Sequence, residues 1–338
     1  MATRMVGAGR SDALESFLDR YGLGDGPVRA TPIGAGASNL TYLLERVGTR
    51  VVLRRPPPPP LPPSAHDVVR EARIQMALAP AEVRVPEILA VCEDASVLGV
   101  PFYLMAELQG CVISDELPAA IDAPQERRRL ADEFLDGLVQ LHAIDWAGLG
   151  LQIGKPTGYL DRQLRRWSGL WEVNATRELA ACAQLGGRLR ASLPESPPAT
   201  VVHSDYRLGN VMVADHPPAR LVAIFDWEMA TIGDPLADLG YLIATWSQPG
   251  VPDHPLLLSP VTDRPGFRTH DELIGRYADE TGRDVSHLDW YQAFALWKGA
   301  VFCEAIYGRY LRDERSDSWS GSLCDGVPRL LDVASELL

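Results

Sequence analysis

The sequence predicts an α+β chain of two lobes, an N-terminal five-stranded antiparallel sheet with one main helix and a larger, mainly helical C-terminal lobe. Three observations carry that reading. Residues 28–107 hold short β-branched and aromatic runs punctuated by glycine turns. Beyond Gly110 the apolar positions recur at helical spacing. The length, 338 residues, exceeds one average domain. The boundary is expected in a hinge at about 102–110, giving lobes 1–107 and 108–338.

An apolar share of 46% is enough for a large core, and the formal charge of −13 argues against nucleic acid or an anionic membrane as partner, since either would meet net repulsion. Five cysteines without a Cys-x-x-Cys pair suggest neither a disulfide framework nor a zinc site. A reducing cytoplasm is the natural compartment for such a chain. The N-terminal stretch lacks the apolar run of a signal peptide, and no segment approaches a membrane span. The oligomeric state stays open. Lysine occurs only at Lys155 and Lys298, so arginine carries almost all the positive charge.

Taken in order, residues 11–21 place Leu14, Phe17 and Leu18 at helical spacing before Gly22 and Gly24, a short amphipathic lead-in helix. Strands are expected at 28–33, 40–47 and 50–55, with the glycine-bearing loop Gly34-Ala35-Gly36-Ala37-Ser38-Asn39 between the first two. Glycines there let backbone N–H groups approach a phosphate, or simply serve a hairpin; a strand rather than a helix follows, which disfavours a dinucleotide fingerprint. Residues 56–63 form a polyproline connector. A helix should start at Ser64 with a capping box to Asp67 and run through Glu71 to Ala79, followed by strands at 83–92 and 102–107 around a turn at 93–99.

In the second lobe, residues 124–144 present Leu130, Phe134, Leu138 and Leu141 on one face. His142 reads as a hydrogen-bonded structural histidine. One long helical region is expected at 159–189. Residues 248–268 are proline-rich and read as a loop, and capping boxes at Thr269 with Glu272 and at Ser286 with Asp289 open the closing helices. Between these regions lies the densest polar stretch, 201–240. His203-Ser204-Asp205-Tyr206-Arg207-Leu208-Gly209-Asn210 follows one apolar run and Phe225-Asp226-Trp227-Glu228 another, while Asp234-Pro235 opens a helix. Carboxylate and amide oxygens at strand ends are what a hard cation binds, so the stretch suggests Mg²⁺ and a phosphorylated ligand. No Gly-x-Ser-x-Gly occurs, which disfavours a Ser-His-Asp hydrolase.

In order and spacing these motifs resemble the aminoglycoside phosphotransferase family, of protein-kinase-like bilobal fold. The branch most alike includes the kinase-like domains fused to some acyl-CoA dehydrogenases. Gly233-Asp234-Pro235-Leu236-Ala237-Asp238-Leu239, Val52-Leu53-Arg54-Arg55-Pro56 and Ser64-Ala65-His66-Asp67 with Glu71 extend the likeness over nearly the whole chain. The resemblance implies phosphoryl transfer from ATP, with GTP left open, to a hydroxyl of a small molecule, using Mg²⁺. It makes Asp205 the catalytic base, Arg207 a group that neutralises phosphate charge, and His203 an orienting residue. It makes Asn210 and Asp226 metal ligands with Glu228 beside them, and Asp238 a brace of the loop.

On the nucleotide side it implies Gly34, Gly36 and Ser38 at the phosphates and Arg54 paired with Glu71, where most relatives carry lysine. It further implies Met105 against the base, with the backbones of Ala106 and Leu108 at its edge. Absence of Asp-Phe-Gly and Ala-Pro-Glu argues against a protein kinase. Other readings stay open at this point. The acceptor is an aminoglycoside or else a hydroxyacyl or other metabolite, Asp271, Glu272 and Glu304 being compatible with a polyamine. A nucleotide-binding pseudokinase and a metal-dependent hydrolase are the alternatives from other classes.

Overall fold

The computed structural model describes residues 11–34, 39–58, 66–151 and 153–338. They form two compact units. One holds the residues up to Gly110 together with Val222–Glu228, the other Cys111–Leu221 with Met229–Leu338.

The first unit begins with α1 (Ser11–Arg20), whose Leu14, Phe17 and Leu18 are buried as their spacing predicts. Then come β1 (Asp25–Pro32), β2 (Leu40–Val47), β3 (Thr49–Arg55), α2 (Val68–Leu78), β4 (Ile88–Cys92), the four-residue α3 (Ala95–Leu98) and β5 (Phe102–Ala106). The strands pair antiparallel in the order β1-β2-β3-β5-β4, which is the predicted five-stranded sheet.

Strand periodicity decides what each face holds, because successive side chains point to opposite sides. Val51 and Leu53 of β3 with Phe102 and Leu104 of β5 join α1 in one core. Val52, Tyr103 and Met105 join Val68 and Ala72 of α2 in another. Arg54 shares the parity of Val52, so it is delivered to the α2 face, where Glu71 lies.

Two boundaries differ from expectation. The helix starts at Val68 with Asp67 as its N-cap, accepting from the Arg70 N–H. His66 has φ +61°, incompatible with a right-handed helix, and Ser64 lies outside the described residues. β4 starts at Ile88 rather than at residue 83, since Pro86 has no N–H to give to a ladder.

The second unit runs β6 (Cys111–Val112), α4 (Pro124–His142), α5 (Tyr159–Asn174), α6 (Ala180–Ala191), β7 (Thr200–Val202) and β8 (Val211–Val213). β9 (Leu221–Ile224) leads the chain into the segment that belongs to the first unit, and β10 (Thr231–Gly233), α7 (Pro235–Thr245), α8 (His270–Thr281), α9 (Leu288–Leu311) and α10 (Ser318–Glu336) follow. β6 pairs with β8 and β7 with β10, both antiparallel.

α9 is the axis of this unit and packs on α5, α6, α7 and α10. A Cβ on Gly240 of α7 would lie 2.6 Å from the Tyr291 Cβ, so only glycine allows these two helices their close approach. Asp234 caps α7 ahead of Pro235, and the Thr269–Glu272 capping box opens α8, both as expected. Three readings are corrected. The region 159–189 is two helices, broken between Asn174 and Ala180. The box at Ser286 does not form, because the Ser286 N–H donates to Asp284 at 2.9 Å and α9 starts at Leu288. α10, capped by Asp317, is an additional closing helix. Among the described residues no helix is long and apolar enough to cross a membrane.

Candidate active site

In the second unit the polar stretch after β7 is built around Asp238, which α7 carries in its first turn. Asp238 is fully buried, and its Oδ2 and Oδ1 accept the backbone N–H groups of His203 at 2.6 Å and Ser204 at 2.7 Å. His142, at the end of α4, adds Nε2 at 3.3 Å and is itself held by the Tyr277 hydroxyl at 2.7 Å. Burial works to raise the Asp238 carboxyl, but His142 and His203 outweigh it and hold it below its ordinary value. Burial keeps the His142 ring below its usual value as well. Asp238 is therefore a brace, as expected of it, and His142 is the hydrogen-bonded structural histidine.

The brace shapes the loop that presents Asp205. Ser204 takes φ +70°, a left-handed conformation in which a non-glycine residue is strained, and two N–H bonds to Asp238 secure it there. The Asp205 N–H donates to His203 Nδ1 at 3.2 Å, which is an orienting role for that buried imidazole.

Both carboxylate oxygens of Asp205 are engaged: Oδ1 accepts from the Tyr241 hydroxyl at 2.5 Å and Oδ2 from Asn210 Nδ2 at 2.6 Å. Arg207 Nε stands 3.4 Å from Oδ1, and the guanidinium lies across Gly209, where a Cβ would collide with it. Because Asn210 gives Nδ2 to Asp205, its Oδ1 is the end offered to a cation. That is the oxygen a magnesium ligand needs.

In the first unit the parity of β3 has an electrostatic result. Arg54 bridges Glu71 at 3.0 Å through Nε and Asp226 at 2.6 Å through Nη2. Burial pushes the Glu71 carboxyl up while Arg54 pulls it back, leaving it at about 7. Burial would lower the Arg54 guanidinium, yet Glu71, Tyr103 and Asp226 hold it above its ordinary value. Asp226, at φ +65°, is a second strained non-glycine residue. Glu228 accepts from Asn39 Nδ2 at 3.3 Å, and its carbonyl accepts from Arg70 at 2.9 Å.

The residues expected at the nucleotide are placed in part. Gly34 has φ +78°, in keeping with its loop role, and Gly36 and Ser38 lie outside the described residues. Met105 is buried in the α2-side core. The Ala106 N–H already donates to the Glu87 carbonyl at 2.9 Å, so this donor is engaged within its own unit, and Leu108 is half-buried after β5. Among the described residues no group of three His, Cys, Asp or Glu side chains is arranged to hold a metal ion.

Sequence reading missed Tyr241. Tyr241 lies one helical turn after Asp238, a spacing that puts both on the same side of α7. Glu304, compatible in the sequence with a polyamine or equally with a solvated helix face, is instead fully buried, accepting from the Thr176 N–H and hydroxyl and from Arg177.

The sequence profile of the phosphotransferase enzyme family matches residues 29–272. Acyl-CoA dehydrogenase family member 10 of Mus musculus is 32% identical over 94% of this chain and 30% of its own length. Acyl-CoA dehydrogenase family member 11 of Gallus gallus is 33% identical over 96% of this chain and 43% of its own length. The chain thus spans less than half the length of these curated relatives.

Among solved structures, a candidate aminoglycoside phosphotransferase of Ralstonia eutropha superposes with a TM-score of 0.80 at 28% identity, over 96% of this chain and 98% of that one. A hygromycin-bound aminoglycoside phosphotransferase, solved with AMP-PNP, superposes with a TM-score of 0.63 at 16% identity over 96% of this chain and 98% of its own, a likeness of fold.

Proposed function

The chain belongs to the phosphotransferase enzyme family, and from that premise we propose that it is an ATP- and Mg²⁺-dependent kinase of a small-molecule hydroxyl. The observation that carries the reading is Asp205, a carboxylate with both oxygens fixed at the tip of a loop braced by Asp238. Phosphoryl transfer asks mainly for positioning and charge neutralisation, and a pre-set carboxylate at the acceptor hydroxyl answers the first need.

Asp205 accepts the hydroxyl proton as the acceptor oxygen bonds to the γ-phosphorus and the bond from that phosphorus to the bridging oxygen of ADP breaks. Tyr241 keeps the carboxylate aimed, and Arg207 turns from Asp205 to the transferring phosphoryl group. Mg²⁺, when bound, supplies charge neutralisation at the phosphates, and Asn210 and Asp226 are the oxygen donors suited to it, with Glu228 beside Asp226. Arg54 would move one arm of its fork from Asp226 to the phosphates while keeping Glu71; a planar fork suits that exchange.

The acceptor is better sought among metabolites than among polyamine antibiotics, because Glu304 is neutralised inside the protein by Arg177. A screen of purified protein with Mg-ATP against hydroxylated metabolites and aminoglycosides tests the reading. ADP release that depends on an acceptor is expected. Nucleotide binding without transfer to any acceptor would favour the pseudokinase, and phosphate release without ATP would favour a hydrolase.

A further inference from the structure

Arg54 serves two carboxylates of unequal burial. Its Nε donates to Glu71 Oε2 at 3.0 Å and its Nη2 to Asp226 Oδ1 at 2.6 Å. The Glu71 side chain is 1% exposed and the Asp226 side chain 26%. Removing the cation from a carboxylate sealed away from water leaves an unpaired buried charge, so the Glu71 bond is the anchor of the fork. Asp226 is partly open to solvent, which takes over when a partner leaves. Among the described residues Arg54 is the hydrogen-bond partner of its carboxylate. The Asp226 bond is therefore the exchangeable one.

What Arg54 puts on Asp226 is a positive charge. A hard cation would bind that same carboxylate directly, and an oxygen donor that already holds a guanidinium suits it. Two positive groups on one carboxylate repel each other, so the arm and a metal ion compete for Asp226. Arginine is suited to this double duty because its planar fork offers separate nitrogens to separate acids. A lysine in the same place has one nitrogen, and the buried Glu71 has the stronger claim on it.

We propose that Arg54 is an autoinhibitory plug of Asp226: in the nucleotide-free protein its outer arm keeps the carboxylate closed to metal, and nucleotide phosphates open it by drawing that arm to themselves. The inference rests on the kinase reading of the site and names its regulation. Glu71 keeps Nε throughout, so the arm turns about a fixed point and returns to Asp226 when the phosphates depart. Metal entry is thereby tied to nucleotide entry by a residue of this chain, in addition to the affinity of the phosphates for the metal.

The test needs no turnover. Mn²⁺, a paramagnetic stand-in for Mg²⁺, is titrated into the full chain and the free ion is read by electron paramagnetic resonance. Wild type, Arg54→Lys and Asp226→Asn, each shown to be folded by its melting curve, are compared without nucleotide and with a non-hydrolysable ATP analogue. Without nucleotide, Arg54→Lys is expected to bind Mn²⁺ roughly tenfold more tightly than wild type, the scale of one hydrogen bond between charged groups. Its net charge equals that of wild type, so the gain reports the missing arm and not a missing charge. With the analogue bound the gap should close, because the phosphates have already drawn the arm from Asp226.

Equal nucleotide-free affinities overturn the plug, and so does a gap of the same size with the analogue bound. Asp226→Asn tells that failure from a failure of the site, since it should lose Mn²⁺ with the analogue bound. If it does so while Arg54→Lys changes nothing, the plug is wrong and the metal assignment stands. If Asp226→Asn binds Mn²⁺ as wild type does, Asp226 is no metal ligand and both fall.

Discussion

Asp205 and Asp238 belong to one loop network and are built for opposite work. Asp238 is fully buried, and its partners are two main-chain N–H groups and a structural histidine, none of which can leave without unmaking the loop. The Asp205 side chain is 24% exposed and is held by the side chains of Tyr241, Asn210 and Arg207, which can turn toward a ligand. α9 repeats the contrast. Glu304 is closed off by Thr176 and Arg177, whereas Lys298, almost as deeply buried, lies over the rings of Phe294 and Trp167. The partners of these charges differ in kind: main-chain N–H groups and a histidine for Asp238, side chains for Asp205.

The contrast breaks first at Asp238. Asp238→Ala leaves two buried N–H groups and His142 without their acceptor, and stability should fall by about 3–5 kcal/mol, measured by urea unfolding. Because the folded carboxyl is held low, the Asp238 contribution is present above the unfolded pKa and lost as pH falls through the folded value. Acid unfolding of Asp238→Ala should therefore be shallower than that of wild type.

A smaller effect is expected at Tyr241, whose hydroxyl only aims the base. Tyr241→Phe should lower kcat by about tenfold, with a stability loss within about 1.5–3 kcal/mol for one hydrogen bond to a charged group. A comparable rise in KM with kcat unchanged would instead place Tyr241 on the acceptor.

The pH dependence of Lys298 is subtler. Its folded value, about 8, lies below the ordinary 10.5, so the unfolded chain binds more protons between the two. Its cost is complete below about 8 and fades as pH rises toward 10.5, with Asp238, Asp205 and Arg166 the charges that bear on it. The Tm advantage of Lys298→Met should be largest at neutral pH and shrink on the alkaline side. The smallest effect is at the α8 cap: Thr269→Ala should cost about 1 kcal/mol without touching kcat, read by thermal melting.

Much of this was legible in the sequence, for identifiable reasons. Alternation in β3 and β5 sorts side chains onto two faces, so the two cores of the sheet follow from parity, while the Arg54–Glu71 pair was implied by the family resemblance. Asp205, Asn210 and Asp238 sit at short fixed spacings in one stretch. Other features depend on tertiary contacts that no local pattern records. The chain between α5 and α6 breaks where the Thr176 N–H turns to Glu304, more than a hundred residues away. α9 is buried on nearly all sides and has no apolar stripe against which one charge would stand out.

The most direct measurement compares Asp205→Ala with wild type in two assays on the same preparation, nucleotide binding and acceptor-dependent ADP release. Loss of a positioned general base should lower kcat by roughly 10²–10⁴-fold with nucleotide affinity close to wild type, while Tm falls at least as far as in Tyr241→Phe, because the same hydrogen bond is lost. Turnover at the wild-type rate in Asp205→Ala would contradict the account.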